Sequence, residues 1–233
     1  MVAQLSAYVA SSTESELQLH QCADADIDLP AHLGDGVLEV RTDYPADGTI
    51  ELAVRGRVVP GTQLALRIPG WSETTVLTRD GNDYGAQRDA DGYLRVPLED
   101  NARWSLRLDL TPRWTSAHPS VDAVRGCLAL EHGPVLYCIE QVDLPPGAAV
   151  DDLVVDASVA PRVQPGAAAD SRVLLEIECY SSQPETELYR RFTAEPPSSS
   201  AALTVTAIPF ADWGNRAPGA MRVWLPCRSS TST

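Results

Sequence analysis

Cys127, Glu131, His132 and Cys138 are the nearest approach this chain makes to a reactive cluster: two thiols, a carboxylate and an imidazole around one Gly-Pro turn. These residue types are zinc ligands when they converge. A period-two register puts Cys127 and Glu131 on one strand face and leaves His132 at the turn, so the spacing predicts an ordinary hairpin. Asp43 and Asp47 could supply the paired carboxylates of acid–base hydrolysis. Tyr44-Pro45 between them and Gly48 after them fit turn chemistry better, with the carboxylates bonding the local backbone. Asp24, Asp26 and Asp28 alternate and read as the solvated side of a strand. The four histidines, His20, His32, His118 and His132, include no pair at metal-ligand spacing. HExxH, P-loop, strand-linked GxGxxG and GxSxG motifs are all missing. The expectation is a chain with no catalytic residue and no metal ligand of its own.

Aromatic residues are the remaining chemistry. Trp71, Trp104, Trp114, Trp213 and Trp224 could stack on a ligand or a neighbouring domain. Trp104 alternates with leucines and reads as core. Trp213 sits in the run Phe210-Ala211-Asp212-Trp213-Gly214-Asn215-Arg216, among polar neighbours able to hydrogen-bond. Trp213, Asn215 and Arg216 are therefore the candidate substrate-binding or domain-contact residues.

Strands must position these side chains, because period-two alternation dominates the chain. Trp104, Leu106, Leu108 and Leu110 share one face of a run whose other face carries Ser105, Arg107 and Asp109. Val173, Leu175, Ile177 and Cys179 repeat the pattern, as do shorter runs from residue 16 to residue 225. One apolar face at period two is the mark of a half-buried antiparallel strand. Gly34-Asp35-Gly36, Asp47-Gly48, Pro60-Gly61, Asp80-Gly81, Asp91-Gly92 and His132-Gly133-Pro134 supply the turns. Many short strands at this spacing predict an all-β protein of two antiparallel β-sandwich domains.

Residues 1–15 break the pattern. Val2, Leu5 and Val9 fall on one helical face and no capping residue precedes them, which predicts a helical stub, the end of something longer. The expected division is a stub at 1–15, a first sandwich at 16–118 and a second at 119–233. Residues 144–170 are read as loop around a short strand at 153–157, residues 194–201 as a polar loop, and the tail after Cys227 as disordered.

Charge narrows the partners. Lysine is absent, all 18 basic residues are arginine, and 32 acids bring the formal charge to -14. Such a surface repels phosphate backbones and anionic lipid, which argues against nucleic-acid and membrane partners but leaves a neutral sugar unopposed. Met1-Val2-Ala3-Gln4-Leu5 has no basic, apolar leader pattern. Cys22, Cys127, Cys138, Cys179 and Cys227 are odd in number and scattered, as expected of free thiols in a reducing cytoplasm.

Three stretches carry a resemblance. They are Leu64-Ala65-Leu66-Arg67-Ile68-Pro69-Gly70-Trp71 with the earlier Thr42-Asp43-Tyr44-Pro45-Ala46-Asp47-Gly48, then Gly126 through Glu140, then Ile208 through Arg216 with Met221 through Pro226. In order and spacing they resemble the C-terminal β-sandwich region of glycoside hydrolase family 127, the β-L-arabinofuranosidase-type enzymes. The first helix and Leu17-Gln18-Leu19-His20 look like the passage from that family's (α/α)6 catalytic barrel into its sandwiches. The resemblance implies retaining hydrolysis by a cysteine nucleophile at a zinc site, a metal that keeps a thiolate deprotonated. It places that zinc and cysteine in the barrel, upstream of Met1, and none of the five cysteines here matches them. Ala46, where tryptophan is usual, and Trp104-Ser105, where a Gly-Asp turn is commoner, depart from the pattern.

The resulting expectation is an accessory region that supports a catalytic barrel and is inactive alone. Its partners would be the missing barrel and an arabinose-containing carbohydrate. A carbohydrate-binding module that works independently is the alternative, and a self-contained hydrolase the third reading.

Overall fold

The computed structural model describes residues 6–85, 87–164, 173–181 and 201–227. They form two compact units, Met1–Leu110 and Thr111–Thr233. The described part is all-β, broken only by short 3-10 turns, and no helix in it is long and apolar enough to cross a membrane.

The first unit contains β1 (Ala10–Ser12), β2 (Glu16–Leu19), β3 (Ala25–Asp28), β4 (Val37–Thr42) and β5 (Thr49–Arg55). It continues with β6 (Gln63–Arg67), β7 (Thr75–Arg79), β8 (Asn82–Asp83), β9 (Tyr93–Pro97) and β10 (Arg103–Leu108). A four-stranded sheet runs β1-β2-β6-β9 and a six-stranded sheet runs β3-β4-β5-β10-β7-β8. Alternation does the work: Leu17, Leu19, Leu64, Leu66, Leu94 and Val96 from the first sheet share one core with Leu38, Val40, Ile50, Leu52, Trp104 and Leu106 from the second. That is a β-sandwich. One pair departs from the antiparallel expectation. β2 and β6 run parallel, with Leu17 beside Leu64 and Leu19 beside Leu66, so both strands still present leucines to the core.

The segment before β2 corrects the helical expectation over residues 6–15. Residues 1–5 lie outside the described residues. Residues 6–8 make a single 3-10 turn and Ala10–Ser12 is a strand paired to β2. The Val9 carbonyl accepts the His20 N–H at 2.8 Å, and Ser11, Ser12 and Thr13 are weak helix formers. From Val9 onward strand pairing therefore replaces the helical expectation.

The second unit contains β11 (Pro112–Ser116), β12 (Cys127–His132), β13 (Val135–Glu140), β14 (Leu153–Val155) and β15 (Arg162–Gln164). It ends with β16 (Leu174–Ser181), β17 (Ala201–Pro209), β18 (Met221–Arg222) and β19 (Leu225–Pro226). The order β11-β12-β13-β17-β16-β14 is joined by β15 on β16, β18 on β13 and β19 on β12. A parallel bridge from Val155 to Cys227 links β14 to the chain just after β19. The network thus curves around one core of Leu130, Tyr137, Ile139, Leu153, Leu175, Ile177, Val205 and Leu225.

The division falls at Leu110/Thr111, not near His118. The reason is β11: Pro112 starts a new strand whose five residues pair with β12. Residues 144–164 hold a 3-10 turn, β14 and β15. The expected polar loop up to residue 200 and the tail after Cys227 lie outside the described residues.

Candidate functional site

The cysteine–histidine cluster does not assemble. Glu131 accepts Arg113 Nη2 at 2.5 Å and Thr115 Oγ1 at 2.9 Å, which occupies its carboxylate. His132 is buried and meets the Tyr137 ring edge-on, 6.4 Å between centroids. Burial, and then the Arg113 charge, lower its pKa. Burial pushes the thiols of Cys22 and Cys138 up to about 11 and that of Cys179 up to about 12. A zinc-bound or nucleophilic cysteine needs the opposite. Among the described residues no group of three His, Cys, Asp or Glu side chains is arranged to hold a metal. The described residues do not fit the zinc–cysteine centre that the resemblance implies.

The carboxylates are structural too. Asp47 accepts the Thr49 N–H at 2.6 Å, and its hydrogen bonds to Thr49 hold its pKa below the usual range. Asp43 turns the chain by accepting the Ala46 N–H at its carbonyl. Asp24 caps the Thr42 N–H and Asp26 pairs with Arg41 on an exposed strand face.

Of the five tryptophans, Trp104 is buried, while Trp71 and Trp114 are half-buried against the two cores. Trp224 is half-buried. Trp213 is 48% exposed, and Phe210, three residues before it, is 41% exposed. Their rings lie 6.2 Å apart and within 11° of parallel. They sit on a 3-10 turn, Phe210–Asp212, at the end of β17.

The loop that carries them begins and ends on one strand. Pro209, the last residue of β17, pairs with Tyr137 of β13, and Met221, the first of β18, pairs with Glu140 of β13. Glu140 is 3% exposed and is the one buried acid among the described residues. Its Oε1 accepts the Gly214 N–H at 2.8 Å. Its Oε2 accepts Arg216 Nε at 3.2 Å and a shorter bond from Nη2. Arg216 also reaches Asp143 with Nη1 at 2.7 Å and Nη2 at 2.6 Å. Burial alone would raise the Glu140 pKa, but the Gly214 amide and the guanidinium together lower it below its ordinary value. The Asp143 hydrogen bond does most to raise the Arg216 pKa; burial works against it, and Glu140 raises it further. Gly214 adopts a φ of +77°, a left-handed conformation that glycine takes without strain and that aims its N–H at the carboxylate.

Trp213, Asn215 and Arg216 are all exposed, but the Arg216 guanidinium is bound to two carboxylates and acts as the loop's staple. Sequence reasoning missed Phe210, Glu140 and Asp143. A signal existed for Glu140, a single acid closing the run Val135-Leu136-Tyr137-Cys138-Ile139. Buried acids at strand ends usually have a basic partner.

Two family descriptions together match residues 16–226. Residues 16–111 match the β-L-arabinofuranosidase GH127 middle domain, and residues 112–226 match the glycoside hydrolase family 127 C-terminal domain. The two meet one residue from the division seen in the fold. A non-reducing end β-L-arabinofuranosidase of Bifidobacterium longum subsp. longum is 30% identical over 197 residues, covering 80% of this chain and 30% of that protein. A solved GH127 β-L-arabinofuranosidase from Geobacillus stearothermophilus T6 shares the fold with a TM-score of 0.81 at 24% identity, over 97% of this chain and 36% of that one. A structure described as a glycoside hydrolase aligns with a TM-score of 0.82 at 22% identity, over 98% of this chain and 38% of that one. The chain spans about a third of the length of these relatives. The chain belongs to glycoside hydrolase family 127 and carries that family's middle and C-terminal domains.

Proposed function

We propose that this chain is the accessory β-sandwich part of a β-L-arabinofuranosidase-type glycoside hydrolase. It supports a catalytic helical barrel and does not hydrolyse sugar alone. The observation that carries this reading is the state of its chemical groups. Glu140, the buried acid among the described residues, is neutralised by Arg216, and three of the thiols are held protonated by burial. A retaining glycosidase needs a free nucleophile and a proton donor about 5 Å apart or its equivalent. The zinc and cysteine that the family resemblance implies belong, in this proposal, to the barrel. Its setting is the cytoplasm, in keeping with five scattered cysteines, odd in number.

The test is an assay of the purified chain on an aryl β-L-arabinofuranoside, with and without added zinc. No release of the aryl group is expected in either case. Turnover that follows the chain through purification would overturn the proposal.

A further inference from the structure

We infer that Phe210 and Trp213 form a stacking platform for a neutral carbohydrate, held rigid by Glu140 and Arg216 and edged by Asn215. Two independent observations support it. The two rings are near-parallel and both well exposed, while the other four tryptophans are buried or half-buried. Exposed aromatic pairs of this kind are costly to leave bare and mark contact sites. Parallel faces suit the flat C–H face of a sugar ring, which is apolar on one side and ringed with hydroxyls at its edge. Asn215, exposed beside Trp213, can donate to and accept from such hydroxyls.

The support beneath the rings is the second independent observation. The core does not require a buried carboxylate at residue 140, and burying one is costly unless it is fully bonded. Among the described residues it is bonded only to the loop, through Gly214 and Arg216, while Asp143 takes the other edge of the guanidinium. A loop held from below by the Glu140 and Asp143 carboxylates presents its aromatics in one orientation, so little freedom is lost on binding. The charge of -14 disfavours an anionic ligand and does not oppose a neutral one. That the sugar contains arabinose rests on the function proposed above, but the platform itself does not.

The test uses the full chain, labelled with 15N, titrated with neutral arabino-oligosaccharide. One of the five tryptophan indole N–H signals should move in a saturable way, and it should be the signal missing from Trp213→Ala. Phe210→Ala should weaken binding by roughly tenfold. Glu140→Gln, which keeps both rings but removes the charge under the loop, should weaken it by several-fold. Tyr8→Ala, an exposed aromatic in the first unit, should leave the affinity unchanged. The proposal is overturned if the Trp213 signal stays fixed up to about 20 mM sugar, well above the roughly millimolar Kd of a two-ring site. It is equally overturned if Trp213→Ala abolishes self-association or a protein complex while sugar contacts lie elsewhere. Neither failure touches the accessory role, which the hydrolysis assay decides.

Discussion

Arg216 and Glu140 meet across 76 residues of sequence, and their contact fixes the exposed loop of residues 210–216 onto the end of β13. Glu140 is buried, whereas the Arg216 side chain is 40% exposed, so the two halves of the pair are not equivalent. Removing the arginine strands a carboxylate away from water. Removing the glutamate leaves a guanidinium that can still reach Asp143 and solvent.

Arg216→Ala should therefore destabilise the chain by about 1–3 kcal/mol, the cost of a buried acceptor left unpaired with a charge on it. Glu140→Gln should cost less. In urea unfolding followed by circular dichroism, the double variant should be no less stable than Arg216→Ala alone. If each change costs the same and the two add, the coupling is not there.

Acid should loosen the same loop. The folded-state pKa of Glu140 is lowered, so its contribution is present above the unfolded-state value and is lost as pH falls through the folded value. The loss begins below about pH 4. Asp47 acts in the same direction through its bonds to Thr49. His132, also lowered, adds a loss that sets in as pH falls through about 6.5, where the unfolded imidazole charges. The thermal midpoint should fall on acidification, and the fall below about pH 4 should be smaller in Glu140→Gln.

Thiol accessibility gives a third check. Cys138 and Cys179 are buried and their pKa values are raised, as is that of Cys22. An alkylating reagent at neutral pH should label Cys127 before these three, which stay unlabelled until the protein unfolds. Rapid native labelling of Cys138 would contradict the packing of β13.

The core of the first unit centres on Trp104, which has Tyr84 edge-on at 4.7 Å and the Arg79 guanidinium 5.2 Å from its ring centre. Its buried indole N–H meets no acceptor among the described residues. Trp104→Phe should thus cost far less than Trp104→Ala, for which about 3–5 kcal/mol is expected. A near-equal cost in calorimetry would mean that the N–H is bonded after all.

Gly48 tests the strand arrangement independently. A Cβ there would lie 2.4 Å from the Leu108 carbonyl oxygen, because the Gly48 carbonyl accepts the Leu108 N–H at 2.9 Å. Gly48→Ala should lose about 1–3 kcal/mol through forced backbone movement.

Period two made most of this architecture legible. The alternation at 104–110 and 173–179 placed Trp104, Leu106, Leu175 and Ile177 in the cores where the structure has them. Strands β1, β8, β11 and β15 were hidden because they are short or exposed, and pairing rather than patterning makes them strands. The unit boundary moved for the same reason: nothing in Arg113-Trp114-Thr115 says which neighbour it will bond. Trp213 stood out by its setting among polar residues. The role of Arg216 did not, since its partners Glu140 and Asp143 lie far away in sequence and only the fold brings them together.

The accessory role is tested most directly by a chimera. In the Bifidobacterium longum relative, the region matched by this chain is deleted or replaced by this chain, and β-L-arabinofuranosidase activity and thermal midpoint are measured. The account predicts that deletion removes activity with loss of the folded protein, and that replacement restores a substantial part of both. An enzyme that keeps its activity and midpoint after deletion, or a chain that hydrolyses the substrate without the rest, would contradict it.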